Sequence, residues 1–132
     1  MKIAIDTNIL ARIIVNDDTK QNQLAMQVID EAELVIIGSY VLCELVWLMG
    51  SRYQVSRADI AKALRHILLM EKVQLDRPAV EAGLALYEAG AGFADGVIAY
   101  EGQRKGADAF ISFDKKAVAL LNKNGKKAKL LA

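Results

Sequence analysis

One property limits the fold of this 132-residue chain more than any other: the period of its apolar residues keeps changing. Short runs rich in β-branched residues, at 2–5, 33–37, 73–75, 109–113 and more weakly 129–131, read as strands. Between them, apolar residues recur at helical spacing over 9–14, 20–32, 40–49, 57–68, 78–89, 93–105 and 115–121. Local signals agree with this division. Ser56-Arg57-Ala58-Asp59 is a capping-box pattern, and Pro78 suits a first helical turn. Gly50-Ser51, Gly90-Ala91-Gly92, Gly106 and Gly125 mark stops or turns. Strands alternating with helices predict an α/β fold: a parallel sheet covered on both faces, in three layers α/β/α. With no repeat, linker or low-complexity segment, residues 1–132 are expected to form one domain.

In such a sheet the helix N-termini collect at the carboxyl edge of the strands, and ligands bind there, where strand order reverses. Four acids fall at places of this kind. Asp6 closes the first strand, followed by Thr7 and Asn8 at the start of a helix. Glu44 lies in the first turns of the helix after the second strand. Asp95 opens the helix that leads into the fourth strand, and Asp114 follows Ser112-Phe113 at the end of that strand. Taken alone, Asp6 reads most simply as a helix cap. Glu44 and Asp95 stand out because their neighbours are apolar: Val41, Leu42, Leu45 and Val46 around one, Phe93, Val97 and Ile98 around the other. A carboxylate in such a setting is usually paired, here with an arginine such as Arg104, or serves a site. Asp17, Asp18, Asp30, Glu31, Glu33 and Asp76 sit in polar breaks and read as solvated surface.

Four carboxylates at one edge repel one another. At an effective dielectric of 20, two unit charges 4 Å apart cost about 4 kcal/mol. Raised pKa values or a bound cation must offset this. The chain has one histidine, His66, and one cysteine, Cys43, so an all-oxygen donor set for a hard ion is the natural candidate. Mg²⁺ or Mn²⁺ in that position supports metal-assisted hydrolysis of a phosphate ester.

Composition bounds the setting. Net charge is only +1, so any nucleic-acid contact must come from a local patch such as Lys123 to Lys129, a run that reads more simply as a solvated tail. No apolar run approaches the roughly 18 residues of a membrane helix, and no signal-peptide pattern opens the chain. The lone cysteine rules out an internal disulfide and suits a reducing cytosol, so a cytoplasmic protein is expected.

Together, Ile3-Ala4-Ile5-Asp6-Thr7-Asn8-Ile9-Leu10, Glu44 in its helix, Phe93-Ala94-Asp95 and Ser112-Phe113-Asp114 resemble the acidic signature of PIN-domain ribonucleases. The length and the N-terminal start are similar to the VapC toxins of toxin–antitoxin pairs. The resemblance spans nearly the whole chain. It implies a central five-stranded parallel sheet in order 3-2-1-4-5, with strand order reversing between Asp6 and Asp114. It further implies Mg²⁺- or Mn²⁺-dependent RNA cleavage, a homodimer, and an inhibiting antitoxin protein. Asp6, Glu44 and Asp95 become metal ligands, and Asp114 completes the site. Ser112 holds a ligand or water through its hydroxyl, while Thr7 and Asn8 support the turn after the first strand.

Other readings compete. Gly90-Ala91-Gly92 with Gly96 has the wrong spacing for a dinucleotide loop and follows a helix. Haloacid-dehalogenase-like phosphatases want an acid two residues after the strand-end aspartate, where Asn8 stands. A phospho-receiver domain has the right size and class, with Asp76 as acceptor, yet Asp6 has no adjacent acid. A PIN nuclease of RNA processing, or a PIN-like module that only binds, completes the alternatives. Finally, the 40–49 helix carries Val41, Leu42, Leu45, Val46, Trp47 and Leu48, more apolar surface than one face buries, which suits a subunit or antitoxin interface as well as a core.

Overall fold

The computed structural model describes residues 1–132 as two compact units, Met1–Asp76 and Arg77–Ala132. In the first unit, β1 (Lys2–Ala4), β2 (Leu34–Ile36) and β3 (Val73–Gln74) form a parallel sheet in the order β1-β2-β3. Ile3 pairs with Val35, and Val35 with Val73. The connections are α1 (Thr7–Ile14), α2 (Thr19–Glu31), α3 (Ser39–Ser51) and α4 (Arg57–Leu69). Three of these helices begin at a side-chain cap. Asp6 accepts from Ile9 N–H, Asp18 from Gln21 N–H, and Ser56 from Asp59 N–H, each satisfying a donor that a helix start leaves open. Ile5, Leu10, Val35, Ile37, Leu42, Leu45, Met49, Ile60, Leu64 and Ile67 fill the core. The Arg12–Asp17 ion pair (2.8 Å) and the Asn22 amide on the Arg12 carbonyl (2.8 Å) fasten the turn between α1 and α2.

Helix α3 ends at Ser51, within the expected Gly50-Ser51 stop. Ser51 turns its hydroxyl back onto the Trp47 carbonyl (2.7 Å), and Arg52 N–H still reaches the Leu48 carbonyl. Beyond the helix, Gln54 adopts a positive φ of +54°.

The second unit contains α5 (Arg77–Glu88), α6 (Phe93–Arg104), β4 (Phe110–Ser112), α7 (Lys115–Lys123) and β5 (Ala128–Leu130). β4 and β5 are parallel, with Phe110 opposite Ala128 and Ser112 opposite Leu130. Gly106 (φ +106°) ends α6 and Gly125 (φ +79°) turns α7 into β5, both in the left-handed region that favours glycine. Leu86, Ala91, Ala117 and Leu121 form a core cluster, with Ala99, Phe110 and Ala128 packed against it.

The five strands therefore appear as a three-stranded sheet and a two-stranded sheet, not as one sheet in the order 3-2-1-4-5. Strands of two or three residues carry few ladder bonds, and the orders 3-2-1 and 4-5 are realised as separate ladders. Cover is also incomplete: Ile36 on β2 is 43% exposed and Ile111 on β4 is 49% exposed.

Candidate active site

Each unit places two of the four acids at the start of a helix or in its first turns. In the first unit, the chain leaves β1 through buried Ile5 and turns at Asp6, whose Oδ1 accepts from Ile9 N–H at 3.1 Å. The expected cap is thus formed. Thr7, next in line, is only 6% exposed, and its hydroxyl donates to Oε1 of Glu44 on α3. Asn8 is exposed on the first turn of α1. Glu44 itself is exposed, because α3 turns Leu42, Leu45 and Met49 inward and leaves Glu44 on the outer face with Tyr40 and Trp47.

In the second unit, Asp95 is half-buried in the first turn of α6. Its carboxylate folds back over Gly92, where an added Cβ would stand 3.0 Å from Oδ2. Burial pushes the Asp95 carboxyl above its ordinary value, and the negative charge of Asp114 adds to the effect. Asp114 caps α7, its Oδ1 accepting from Ala117 N–H at 3.0 Å. Its own N–H donates to Ser112 Oγ at 3.0 Å, which leaves the Ser112 hydroxyl proton available to a ligand or water.

Asp95 is held in place by a helix contact that sequence reading missed. An added Cβ on Gly96 would lie 2.7 Å from the Ala82 carbonyl oxygen and 2.7 Å from Gly83 Cα. On Gly83 it would lie 2.7 Å from a Val97 methyl and 2.9 Å from the Phe93 carbonyl oxygen. Two glycines thus let α5 and α6 meet backbone to backbone beside the acid. The only signal in the sequence is a glycine inside each helical pattern, at Gly83 and Gly96.

The structure thus joins Thr7 to Glu44, Ser112 to Asp114, and Asp95 electrostatically to Asp114. Asp6, Glu44 and Asp114 each commit one carboxylate oxygen to a protein donor. No group of three or more His, Cys, Asp or Glu side chains is gathered in position to hold a metal ion. No helix is long and apolar enough to cross a membrane.

Among known proteins, no curated sequence and no solved structure matches the chain. A family model does: it covers residues 3–122, both units and all four acids, and by it the chain belongs to the PIN domain family, whose members are generally nucleases.

Proposed function

We propose that this chain is a metal-dependent endoribonuclease hydrolysing RNA phosphodiester bonds, with residues 1–132 acting as one domain and Asp6, Glu44, Asp95 and Asp114 serving a common site. The observation that carries the reading is Asp95: a half-buried carboxylate beside a second one, Asp114, is in an environment that favours neutralisation. A divalent cation neutralises such a pair, and PIN domains typically use divalent metals. The donor chemistry fits a hard ion, since the four side chains offer oxygen only. When bound, Mg²⁺ or Mn²⁺ would lower the pKa of an associated water and balance charge developing on the phosphate.

The chain's own groups supply orientation. Asp6, Glu44 and Asp114 each use one carboxylate oxygen internally, which fixes the direction of the other. Thr7 sets the Glu44 carboxylate, and the Ser112 hydroxyl is free to donate to a ligand, water or substrate oxygen. Asn8 stands exposed beside Thr7, within reach of the same turn.

The finer reading is that of a cytoplasmic toxin of a toxin–antitoxin pair, acting as a homodimer and held in check by an antitoxin protein. It is supported by the VapC-like motifs, and by Tyr40 and Trp47, which are 76% and 68% exposed on α3. Sedimentation at micromolar concentration tests the dimer, and a strictly monomeric protein counts against it.

The nuclease test is direct. Purified protein should cleave RNA with Mg²⁺ or Mn²⁺ and stop in EDTA, and Asp6→Asn or Asp95→Asn should abolish cleavage while the circular dichroism spectrum persists. Undiminished cleavage in chelator, from protein free of contaminating nuclease, sinks the metal mechanism. Labelling of an aspartate by acetyl phosphate would point to a receiver domain instead.

A further inference from the structure

The C-terminal lysines are not a loose tail. Residues 115–132 contain Lys115, Lys116, Lys123, Lys126, Lys127 and Lys129 and no acid, and none of the six has an ion-pair partner. The turn that carries Lys126 and Lys127 is fastened on both sides. Asn122 donates its side-chain amide to the Ala128 carbonyl (3.0 Å) and accepts from Ala128 N–H (2.9 Å). Lys126 N–H reaches the Leu121 carbonyl, and Phe110 N–H on β4 reaches the Lys127 carbonyl, each at 2.9 Å. The two ammonium groups therefore project from a fixed backbone, which reduces the ordering cost of binding an anion there.

Lys126 and Lys127 also line a hollow of about 680 Å³ in the second unit. Apolar side chains such as Ala99 and Phe110 line part of it, and Gln103, Asn124 and a single acid, Asp108, supply hydrogen-bonding groups. A cavity of this size with an apolar lining, a few polar groups and cations at the rim suits a base, a ribose and a phosphate. The two lysines do not stand at the reactive corner. β5 runs parallel to β4, so Lys127 stands at the start of the strands, whereas Ser112 and Asp114 stand at their ends. Helix α7, capped by Asp114, separates the two ends by nine residues, about 13 Å.

We infer that Lys126 and Lys127, with Lys123 at the nearby end of α7, hold a nucleotide of single-stranded RNA that flanks the cleaved bond rather than the bond itself. This rests on the ribonuclease reading for its substrate, but its readout is binding. The partner is a polyanion with bases: charge alone would suit an anionic membrane too, yet a concave hollow bordered by two lysines matches one nucleotide better than a flat lipid surface.

The test uses the whole chain in EDTA, titrated against a fluorescein-labelled single-stranded RNA of twelve nucleotides over 50–400 mM KCl. The triple change Lys123→Gln, Lys126→Gln, Lys127→Gln should weaken binding and reduce the slope of log K against log salt by about 2, near 0.7 for each phosphate no longer neutralised. The corresponding lysine-to-arginine triple, which keeps the charge, should restore the slope and shows that the glutamine protein is not simply misfolded. With Mg²⁺, the glutamine triple should raise KM for long RNA and leave kcat for a dinucleotide substrate unchanged. An unchanged salt slope overturns the inference, as does a loss of binding to phosphatidylserine vesicles with RNA binding intact. If wild type binds RNA with this lysine dependence but never cleaves it, the nuclease reading falls and the binding site stands. Cleavage with no lysine dependence leaves the nuclease reading standing and overturns the binding site.

Discussion

The Thr7 hydroxyl donates its hydrogen bond to the Glu44 carboxylate, joining the first turn of α1 to α3 across 37 positions of sequence. Thr7 is buried while Glu44 reaches solvent, so the buried partner sets the direction of the exposed one. Local signals explain Thr7 only as a helix-start residue. Its reach to Glu44 gives it a second task, orienting a candidate ligand.

Removing that hydroxyl tests the task. A hydrogen bond to a charged group is worth about 1.5–3 kcal/mol. Thr7→Val should therefore lower kcat for RNA cleavage by roughly tenfold or more, with a smaller change in KM. Thr7→Ser, which restores the hydroxyl, should recover most of the rate. Wild-type kcat in the valine protein would mean that Glu44 is positioned by something else.

The α5–α6 contact gives a second expectation. At Gly96 an added methyl meets the backbone of Ala82 and Gly83, which cannot step aside as a flexible side chain would. Gly96→Ala should destabilise the protein by about 1–3 kcal/mol, read as a drop in urea midpoint. Gly50→Ala is the control, since the nearest atom its new methyl would meet is an Ile60 methyl at an ordinary 3.8 Å. Equal stability of the two variants would mean that close packing of α5 on α6 does not hold Asp95.

These two relationships mark where sequence reading stops. Strands and helices are legible because their signals are local: a change of apolar period, a cap at Asp6, Asp18 or Ser56, a glycine at 106 or 125. The four acids are legible for the same reason, as helix-start residues after apolar runs. Contacts far apart in sequence have no such signature. Thr7 gives no hint of Glu44, and Gly96, a glycine inside a helical pattern, gives no hint that it faces Gly83. The join of strands one and four follows from the resemblance alone, and the strands form separate three- and two-membered ladders. The stop expected at Gly50-Ser51, by contrast, is legible for a local reason, and α3 ends at Ser51 with Arg52 as its C-cap.

Asp95 predicts a pH dependence in metal-free protein. Its folded pKa lies above the ordinary 3.8, so the folded chain holds the proton more tightly than the unfolded chain. The group's contribution is then greatest at low pH and falls as pH rises from about 3.8 through the raised folded value. Asp95→Asn cannot ionise. In EDTA its stability relative to wild type should increase across that window and level off towards pH 7, by no more than about 1 kcal/mol after solvent screening. Melting curves from pH 3 to 7 check the sign, and a relative stability that falls with pH contradicts a burial-raised carboxyl.

The remaining prediction joins the acids to the cation. Asp114→Asn keeps the α7 cap, because asparagine accepts from Ala117 N–H as aspartate does, and removes the charge that helps raise Asp95. In EDTA this variant should melt higher than wild type, by an amount near 1 kcal/mol or roughly 4 °C. Mg²⁺ should reverse the order. A cation that binds only the folded state stabilises it by RT ln(1 + [L]/Kd), and on the proposed reading wild type should have the smaller Kd. Asp6→Asn also keeps its cap, so its response to Mg²⁺ separates lost ligation from lost capping. Four unrelated surface acids would behave otherwise: each amide would shift stability by less than about 0.5 kcal/mol, and Mg²⁺ would stabilise wild type and variants alike. Melts of wild type and the amide variants of Asp6, Glu44, Asp95 and Asp114, with EDTA and with Mg²⁺, decide between the two. If no variant gains stability in EDTA and no melt responds to the metal, the four acids do not serve a common cation site.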